Sequence, residues 1–100
     1  MLKHIVFWRL HDEAEGNNKA TNLQLVKEKL EALNGVIPGL IKLEIGADIS
    51  RSDASYDFAL YSELESPEAL EVYRTHPAHL EAQAFLFAVV SDRIVVDYEI

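Results

Sequence analysis

The segment LKHIVFWRL, residues 2–10, decides the fold of this 100-residue chain. Its β-branched and aromatic residues predict a β-strand, in which successive side chains point to opposite faces. One face carries His4, Val6, Trp8 and Leu10, and the other carries Lys3, Ile5, Phe7 and Arg9. Both faces are too apolar at the centre of the strand to be left in water. The segment therefore predicts a sheet that is covered on both sides.

The chain that follows supplies a first helix for one of these faces. From about Thr21, apolar residues recur at helical spacing with lysine and glutamate between them. Thr21 and Gln24 fit a capping box, although the helix could begin one turn earlier. Asn34-Gly35 is a suitable stop, because glycine adopts the left-handed conformation at low cost. A helix between these two signals is therefore expected.

A second helical region begins at Ser66-Pro67-Glu68, where serine suits the N-cap and proline suits the first turn. Pro77 disfavours helical geometry at His76, so this helix is expected to break there. It should restart at Pro77 and run to about Val90. The residues expected on the inner face of the restarted helix are Leu80, Ala84 and Phe87.

Three further strands complete the pattern. Ile41, Leu43 and Ile45 alternate with more polar or small residues, which predicts a strand with one buried face. Residues 56–64 and 94–100 predict the other two strands. The resulting order β-α-β-β-α-β is that of an α+β, ferredoxin-like fold. It places both helical regions on one face of a four-stranded antiparallel sheet, within a single domain that spans residues 1–100.

Nothing in the chain is left over to cover the second face of this sheet. A second copy that presents the same face is the simplest cover, because most soluble oligomers are closed and symmetric. The sequence therefore predicts a homodimer. Alternation alone leaves open which face of the first strand meets the helices, since both are apolar.

The composition argues against several classes of function. A formal net charge of −8 disfavours binding to nucleic acid or to an anionic membrane surface, both of which attract basic patches. The absence of cysteine excludes disulfides and cysteine-based zinc sites. The first apolar stretch is too short for a membrane helix and lacks a signal-peptide cleavage region, so a cytoplasmic protein is expected. No phosphate-binding loop appears, and no cofactor is expected.

Two histidines are candidates for chemistry. His4 lies within an apolar strand, where Val6 and Trp8 would line the same pocket. His79 lies in the first turn of the helix that restarts at Pro77, where the helix dipole disfavours the charged imidazolium. A neutral imidazole is what a general base requires. Both residues also have a structural interpretation, as buried histidines bonded to neighbouring groups.

Several segments together resemble the stress-responsive dimeric A/B barrel (Dabb) family, over essentially the whole chain. The segments that carry the resemblance are Lys3-His4-Ile5-Val6, Val36-Ile37-Pro38-Gly39, Tyr56-Asp57-Phe58-Ala59-Leu60, Ser66-Pro67-Glu68-Ala69-Leu70, Tyr73, His76-Pro77-Ala78-His79 and Val96-Asp97-Tyr98. The resemblance implies a ferredoxin-like dimer that forms an α/β barrel. A few enzymatic members are cyclases or lyases that act on polyketide-like substrates. In those members the histidine at the place of His79 acts as base, and the residues at His4 and Tyr73 bind or polarise the substrate.

Three functional hypotheses remain open. The first is a noncatalytic homodimer whose pocket is filled or binds a small molecule, and it is favoured because a pocket and a histidine do not specify a reaction. The second is a lyase or cyclase with His79 as base and His4 and Tyr73 as polarisers. The third and lesser one is an antibiotic-type monooxygenase. A metal site is not expected, because His76 and His79 straddle a proline without a neighbouring carboxylate.

The catalytic hypothesis depends on where His4 points. If the helices cover the face of His4, then His4, Tyr73 and His79 should surround one cavity. Trp8 and inward residues such as Leu23 or Val26 would close it. If the helices cover the face of Phe7 instead, His4 points into the dimer interface.

Overall fold

Six strands and three helices follow one another in the computed structural model, which describes residues 1–100. The elements are β1 (Leu2–Leu10), β2 (Glu13–Ala14), β3 (Asn17–Asn18), α1 (Lys19–Glu31), β4 (Leu40–Ala47), β5 (Phe58–Leu64), α2 (Pro67–Thr75), α3 (Pro77–Val89) and β6 (Val90–Glu99). The four longer strands form one sheet in the order β4-β5-β1-β6, and every neighbouring pair is antiparallel. The predicted ferredoxin-like α+β fold is confirmed.

The helices cover the face of β1 that carries His4. His4, Val6 and Trp8 are buried, whereas Phe7 on the opposite face is 41% exposed. The strand alternates because the sheet is pleated, and the helices select one of its two apolar rows. The choice between the two faces that β1 alone left open is thereby decided.

The first helix begins about one turn before the capping box at Thr21, which is the earlier start that the sequence left open. Asn18 is its N-cap, and the side chain of Asn18 accepts a hydrogen bond from the backbone N–H of Thr21. A short hairpin of β2 and β3, which the sequence pattern did not reveal, delivers the chain to this cap. Asn22 ties the hairpin to α1, because its buried amide donates to the carbonyl oxygen of Ala14.

Strand β4 departs from the predicted alternation at Ile41. Its buried residues are Leu40, Leu43 and Ile45, and Ile41 is exposed. The pairing with β5 shifts register between Leu40 and Lys42, so one residue is extra on β4. Such a bulge turns the residues before it to the opposite face, which is why period-two reasoning failed here.

The bounds of the other strands differ modestly from the predictions. β5 begins at Phe58 rather than Tyr56, and β6 begins at Val90 rather than Ile94, directly where α3 ends. Because no loop separates α3 from β6, the last strand is ten residues long. It lies at the edge of the sheet, beside β1.

The helix break at Pro77 is confirmed. His76 ends α2 and also caps α3, since its Nδ1 accepts a hydrogen bond from the backbone N–H of Ala78. The predicted inner face of α3 is wrong, because Leu80, Ala84 and Phe87 are exposed. The residues of α3 that are buried are His79, Ala82, Leu86 and Val89. This helix is apolar around most of its surface, so its periodicity did not identify the buried side.

The turn into β4 depends on Gly39. Its φ is 84°, in the left-handed region, and a Cβ at this position would lie 2.7 Å from the Cβ of Ala69 on α2. Only glycine allows both the backbone conformation and this close approach. None of the three helices is long and apolar enough to cross a membrane.

Candidate functional site

Strand β1 brings three side chains to the helix side of the sheet. His4, Val6 and Trp8 occupy alternate positions and are all buried beneath the helices. Trp8 stacks on Phe58 of β5, with ring centroids 4.9 Å apart. The strand thus forms a floor with an imidazole at one end and an indole at the other.

The break between α2 and α3 brings Tyr73 and His79 side by side. Tyr73 lies in the last turns of α2 and His79 is the third residue of α3, so both rings face the sheet across the break. Their ring centroids are 4.3 Å apart. In a single continuous helix, residues six positions apart would point about 120° away from each other around the axis, so the break is what brings the two rings together.

The sequence-predicted residues converge on one cavity. His4 meets Tyr73 edge to face, with centroids 5.9 Å apart, so the three rings form a row from β1 to α3. His4, Tyr73 and His79, together with Val6 and Trp8, line a cavity of about 360 Å³. Whether any of them acts in catalysis stays a prediction.

The predicted closing residues of this cavity are wrong. Neither Leu23 nor Val26 lines it, and Leu30 and Leu60 form that wall. Helix α1 packs mainly on β4 and α3, and Leu30 is its one residue that lines the cavity. Leu86 and Phe87 of α3 contribute further apolar surface.

His79 is held as a neutral imidazole. Its burial lowers the pKa of the ring, and nearby positive groups, including Arg93, lower it further. The hydrogen bond to the backbone carbonyl of Arg74 acts in the opposite direction. The sequence predicted this lowered pKa from the helix amino terminus and from partial burial, and burial is the leading cause. Because that carbonyl only accepts, Nδ1 of His79 donates to it over 3.3 Å, and Nε2 keeps the lone pair.

Tyr73 offers a hydroxyl that has no hydrogen-bond partner within the chain. The only fully enclosed side-chain polar atom without a partner is Trp8 Nε1. The unpartnered hydroxyl of Tyr73 is therefore accessible from the cavity, although most of the residue is buried. Burial raises the pKa of Tyr73 far above its ordinary value of 10.0. The hydroxyl therefore stays protonated and is available as a donor.

Asp97 is a member of the site that the sequence did not identify. Its carboxylate lies 2.5 Å from Nδ1 of His4, and the two residues are directly opposite in the pairing of β1 with β6. An ionised carboxylate only accepts, so Nδ1 of His4 donates and the ring is held in one orientation. In the sequence, Asp97 stands out only as part of the Val96-Asp97-Tyr98 segment of the family resemblance. Only the register of β6 against β1 reveals the contact.

The mouth of the cavity is polar and partly basic. Arg74, Arg93 and Gln83 line it together with Asp97. No group of three or more histidine, aspartate and glutamate side chains is arranged to hold a metal ion. The arrangement can therefore bind a small organic molecule by hydrogen bonds at one end and by apolar contacts along the floor.

Comparison with known proteins identifies close relatives over nearly the whole chain. The model of the Stress responsive A/B Barrel Domain family matches residues 2–100. An uncharacterized protein from Streptomyces coelicolor is 34% identical over 99 residues, which cover 99% of each chain. A dimeric protein of unknown function and ferredoxin-like fold from Bacteroides fragilis is 33% identical, with a TM-score of 0.87 over 99% of this chain and 95% of that one. A dimeric ferredoxin-like protein from Thermobifida fusca is 27% identical, with a TM-score of 0.85 over 99% of this chain and 90% of that one.

Proposed function

Because the chain belongs to the stress responsive A/B barrel domain family, we propose that it is a homodimer in which each protomer binds a small carbonyl or phenolic molecule between helices and sheet. One observation carries the binding proposal. The rings of His4, Tyr73 and His79 face a single cavity of about 360 Å³. This volume lies within the range of small-molecule sites.

The cavity is prepared for a ligand with a hydrogen-bond acceptor. The protonated hydroxyl of Tyr73 lacks a partner within the chain. Because this hydroxyl reaches the cavity, a ligand oxygen can accept a hydrogen bond from it in place of water. The apolar floor of Val6 and Trp8 then covers the carbon skeleton.

A titration followed by NMR tests this proposal. Trp8 is the only tryptophan and lines the cavity, so its indole N–H gives one resolved signal at the site. We expect 4-hydroxyacetophenone to shift this signal in the wild type. Tyr73→Phe should weaken binding about fivefold, because it removes one hydrogen bond and little volume.

Tyr56→Phe is the matched control, since Tyr56 bonds to Asp92 and does not line this cavity. It should leave the affinity unchanged. A Trp8 signal that does not move at millimolar probe, or a Tyr73→Phe variant with wild-type affinity, would contradict the binding proposal.

The proposed dimer is supported by the uncovered face of the sheet. Phe7, Ile94, Val96 and Tyr98 are exposed there on adjacent strands, and helices cover only the opposite face. A polar cluster of Lys3, Tyr61 and Glu63 lies on the same face and is satisfied within the protomer. Such a surface suits a second copy, which would bury the apolar residues without leaving these charges unpaired.

Sedimentation velocity at micromolar concentration tests the assembly. We expect a species of twice the 11.3 kDa chain mass. A monomer across the micromolar range would contradict the proposed dimer, and it would leave the binding proposal to its own test.

A second candidate function is proton transfer of the lyase or cyclase type, and the state of His79 favours it. Nδ1 donates to the carbonyl of Arg74, so the neutral ring presents Nε2 as a base. In this mechanism Nε2 removes a proton next to a ligand carbonyl, and the electron pair of the broken C–H bond moves onto the carbonyl oxygen. Tyr73 donates to that oxygen as its negative charge grows. The proton then returns from the imidazolium to the carbon or to the next acceptor.

Deuterium exchange tests this candidate without knowledge of the natural substrate. We expect the methyl group of bound 4-hydroxyacetophenone to exchange in D₂O faster than in buffer, and His79→Ala to abolish the excess rate. His11→Ala is the control, because His11 is exposed and outside the cavity. Equal rates for wild type and His79→Ala would refute a base at His79 while leaving binding intact.

A further inference from the structure

The pocket holds one charged group that the proposed function does not use, and we propose that Arg93 binds the carboxylate of the ligand. The molecule that occupies this pocket is then a small organic acid. This inference rests on the proposed function, because it names the class of ligand for the same cavity.

Arg93 is placed by the register of the last strand. It lies directly opposite Trp8 in the pairing of β1 with β6, so its side chain leaves the sheet on the side of the helices. There it lines the cavity together with Trp8 and Tyr73. The guanidinium makes no hydrogen bond or ion pair within the protomer, whereas the backbone N–H of Arg93 donates to the carboxylate of Asp92.

The other charged groups of the cavity already have partners. Arg74 forms an ion pair with Glu71 at 3.5 Å, and Asp97 is bonded to His4. The chain has 17 acidic residues against nine lysines and arginines, so acidic partners are plentiful. Arg93 nevertheless presents its guanidinium to the cavity without one. An anion from outside the protein completes this arrangement.

The positive charge of Arg93 affects Tyr73 and His79, the two groups proposed to act on the ligand. Burial has the largest effect on both, since it raises the pKa of Tyr73 and lowers that of His79. The positive charge of Arg93 lowers the pKa of each. Arg93, Tyr73 and His79 also line the same cavity, so an acid bound at Arg93 can bring another part of its skeleton to Tyr73 and His79.

A carboxylate fits this site better than a phosphate monoester. The planar guanidinium pairs with both oxygens of a carboxylate through two parallel hydrogen bonds. One unpartnered cation balances one negative charge, and Arg74 is already engaged by Glu71. The carbon skeleton of the acid would lie against Leu86 and Phe87.

Two probes of the same shape isolate the role of charge. Phenylacetate and phenylacetamide differ at one atom, and the Trp8 indole signal reports the binding of either. We expect wild-type protein to bind phenylacetate about tenfold or more tightly, the range for a charge-assisted hydrogen bond. Arg93→Gln should reduce the affinity for phenylacetate to that for phenylacetamide, and should leave phenylacetamide unchanged. Arg93→Lys should retain part of the preference for phenylacetate, because lysine keeps the positive charge but cannot form two parallel hydrogen bonds to a carboxylate.

Arg51→Gln is the matched control, since Arg51 lies on the loop before β5 and outside this cavity. It should bind both probes as the wild type does. Equal binding of the two probes by the wild type, or a preference that survives in Arg93→Gln, would overturn the role of Arg93 while the proposed binding function stands. Tighter binding of phenyl phosphate than of phenylacetate would overturn the carboxylate assignment. Failure of every probe to bind would overturn both proposals.

Discussion

Strands β4 and β6 form the two edges of one sheet, and they differ in how much of each is covered by the rest of the chain. Along β4, side chains from α1 and the turn after it satisfy the backbone. Asn34 bonds to both the N–H and the carbonyl of Leu43, and Glu31 and Lys27 do the same for Ile45. Along β6, every residue after Val90 is exposed. One edge is closed within the chain, and the other is left open.

The difference means that the β4 edge contributes to stability, whereas β6 contributes to the pocket and to the proposed dimer. The closed edge at β4 needs no second molecule, so its contribution to folding is independent of protein concentration. Strand β6 instead presents one row of side chains to the cavity, Arg93, Val95 and Asp97, and the other row to the uncovered face. The strand that the fold covers least is therefore the one that serves both the pocket and the proposed dimer.

The largest effect is expected from a charge on the open side. Val96 lies on the uncovered face opposite Ile5 and is 53% exposed in the single chain. Val96→Asp should dissociate the proposed dimer, because an unpaired charge buried in an interface costs about 3–5 kcal/mol and appears twice in a symmetric pair. Sedimentation velocity would measure the mass, and circular dichroism should show that the protomer remains folded.

Ile49→Asp is the control for this change, since Ile49 is 93% exposed on a loop outside the sheet. It should sediment as the wild type does. If Val96→Asp sediments with the same mass as the wild type, the uncovered side of β6 is not the dimer surface. The β6 edge would then differ from the β4 edge in exposure but not in a role in assembly.

A smaller effect is expected where the closed edge begins. Gly39→Ala adds a Cβ at a backbone φ of 84° and 2.7 Å from the Cβ of Ala69. Left-handed strain and overpacking together should lower the free energy of unfolding by about 2–4 kcal/mol. Urea unfolding would measure the loss. A Cβ added by Gly46→Ala, within β4, meets no atom within 4 Å, so this change should have little effect. Equal stability of the two variants would show that the turn into β4 tolerates a side chain.

The side-chain hydrogen bonds that close the β4 edge should contribute less to the free energy of unfolding than the turn at Gly39. Asn34→Ala removes two hydrogen bonds to Leu43, and we expect a loss of about 1–2 kcal/mol in the free energy of unfolding. Amide exchange at Leu43 should accelerate with it. Gln24→Ala removes only an exposed bond to Glu28 on the same helix and should change little. A Leu43 amide that stays protected in Asn34→Ala would contradict the closure of this edge.

The smallest effect is a pH dependence at Glu31. Its pKa is lowered by the hydrogen bond from Lys27 and by that from the backbone of Ile45. A carboxylate with a lowered pKa stabilises the folded state above its unfolded value of about 4.5, and that contribution is lost as pH falls through the folded pKa. Between pH 7 and pH 3, the free energy of unfolding measured with urea should therefore fall more for the wild type than for Glu31→Gln. Parallel losses in the two proteins would show that the bonds to β4 do not depend on the charge of Glu31.

The elements of the fold followed from local patterns, while their details depended on tertiary contacts. The alternation in β1, the proline at position 77 and the serine cap of α2 each act over a few residues, so they were readable. The bulge at Ile41 was not, because a register shift depends on how β4 pairs with β5. The buried side of α3 was also hidden, since apolar residues surround that helix and only the sheet selects His79 and Leu86 over Leu80 and Phe87.

The residues of the site also fall into two groups, those that the local sequence identifies and those that only the strand register reveals. His4, Tyr73 and His79 stand out by residue type and by their places in the elements, and the structure brings their rings together. Asp97 and Arg93 reach the cavity only through their register opposite His4 and Trp8. A sequence without a known register assigns such residues to a solvated edge, and this is why the charged part of the pocket was missed.

The length of β6 also governs how solutions of this protein behave. Ten residues of uncovered edge strand offer free backbone groups to any other strand, and edge-to-edge pairing of this kind leads to aggregation. Acidic residues along that strand, and the net charge of −8, oppose edge-to-edge pairing of protein molecules at neutral pH. Near the isoelectric point of about 4.8 this repulsion disappears. Colloidal stability should therefore be lowest just where mild acid begins to loosen β4, and purification or storage is best kept well above that pH.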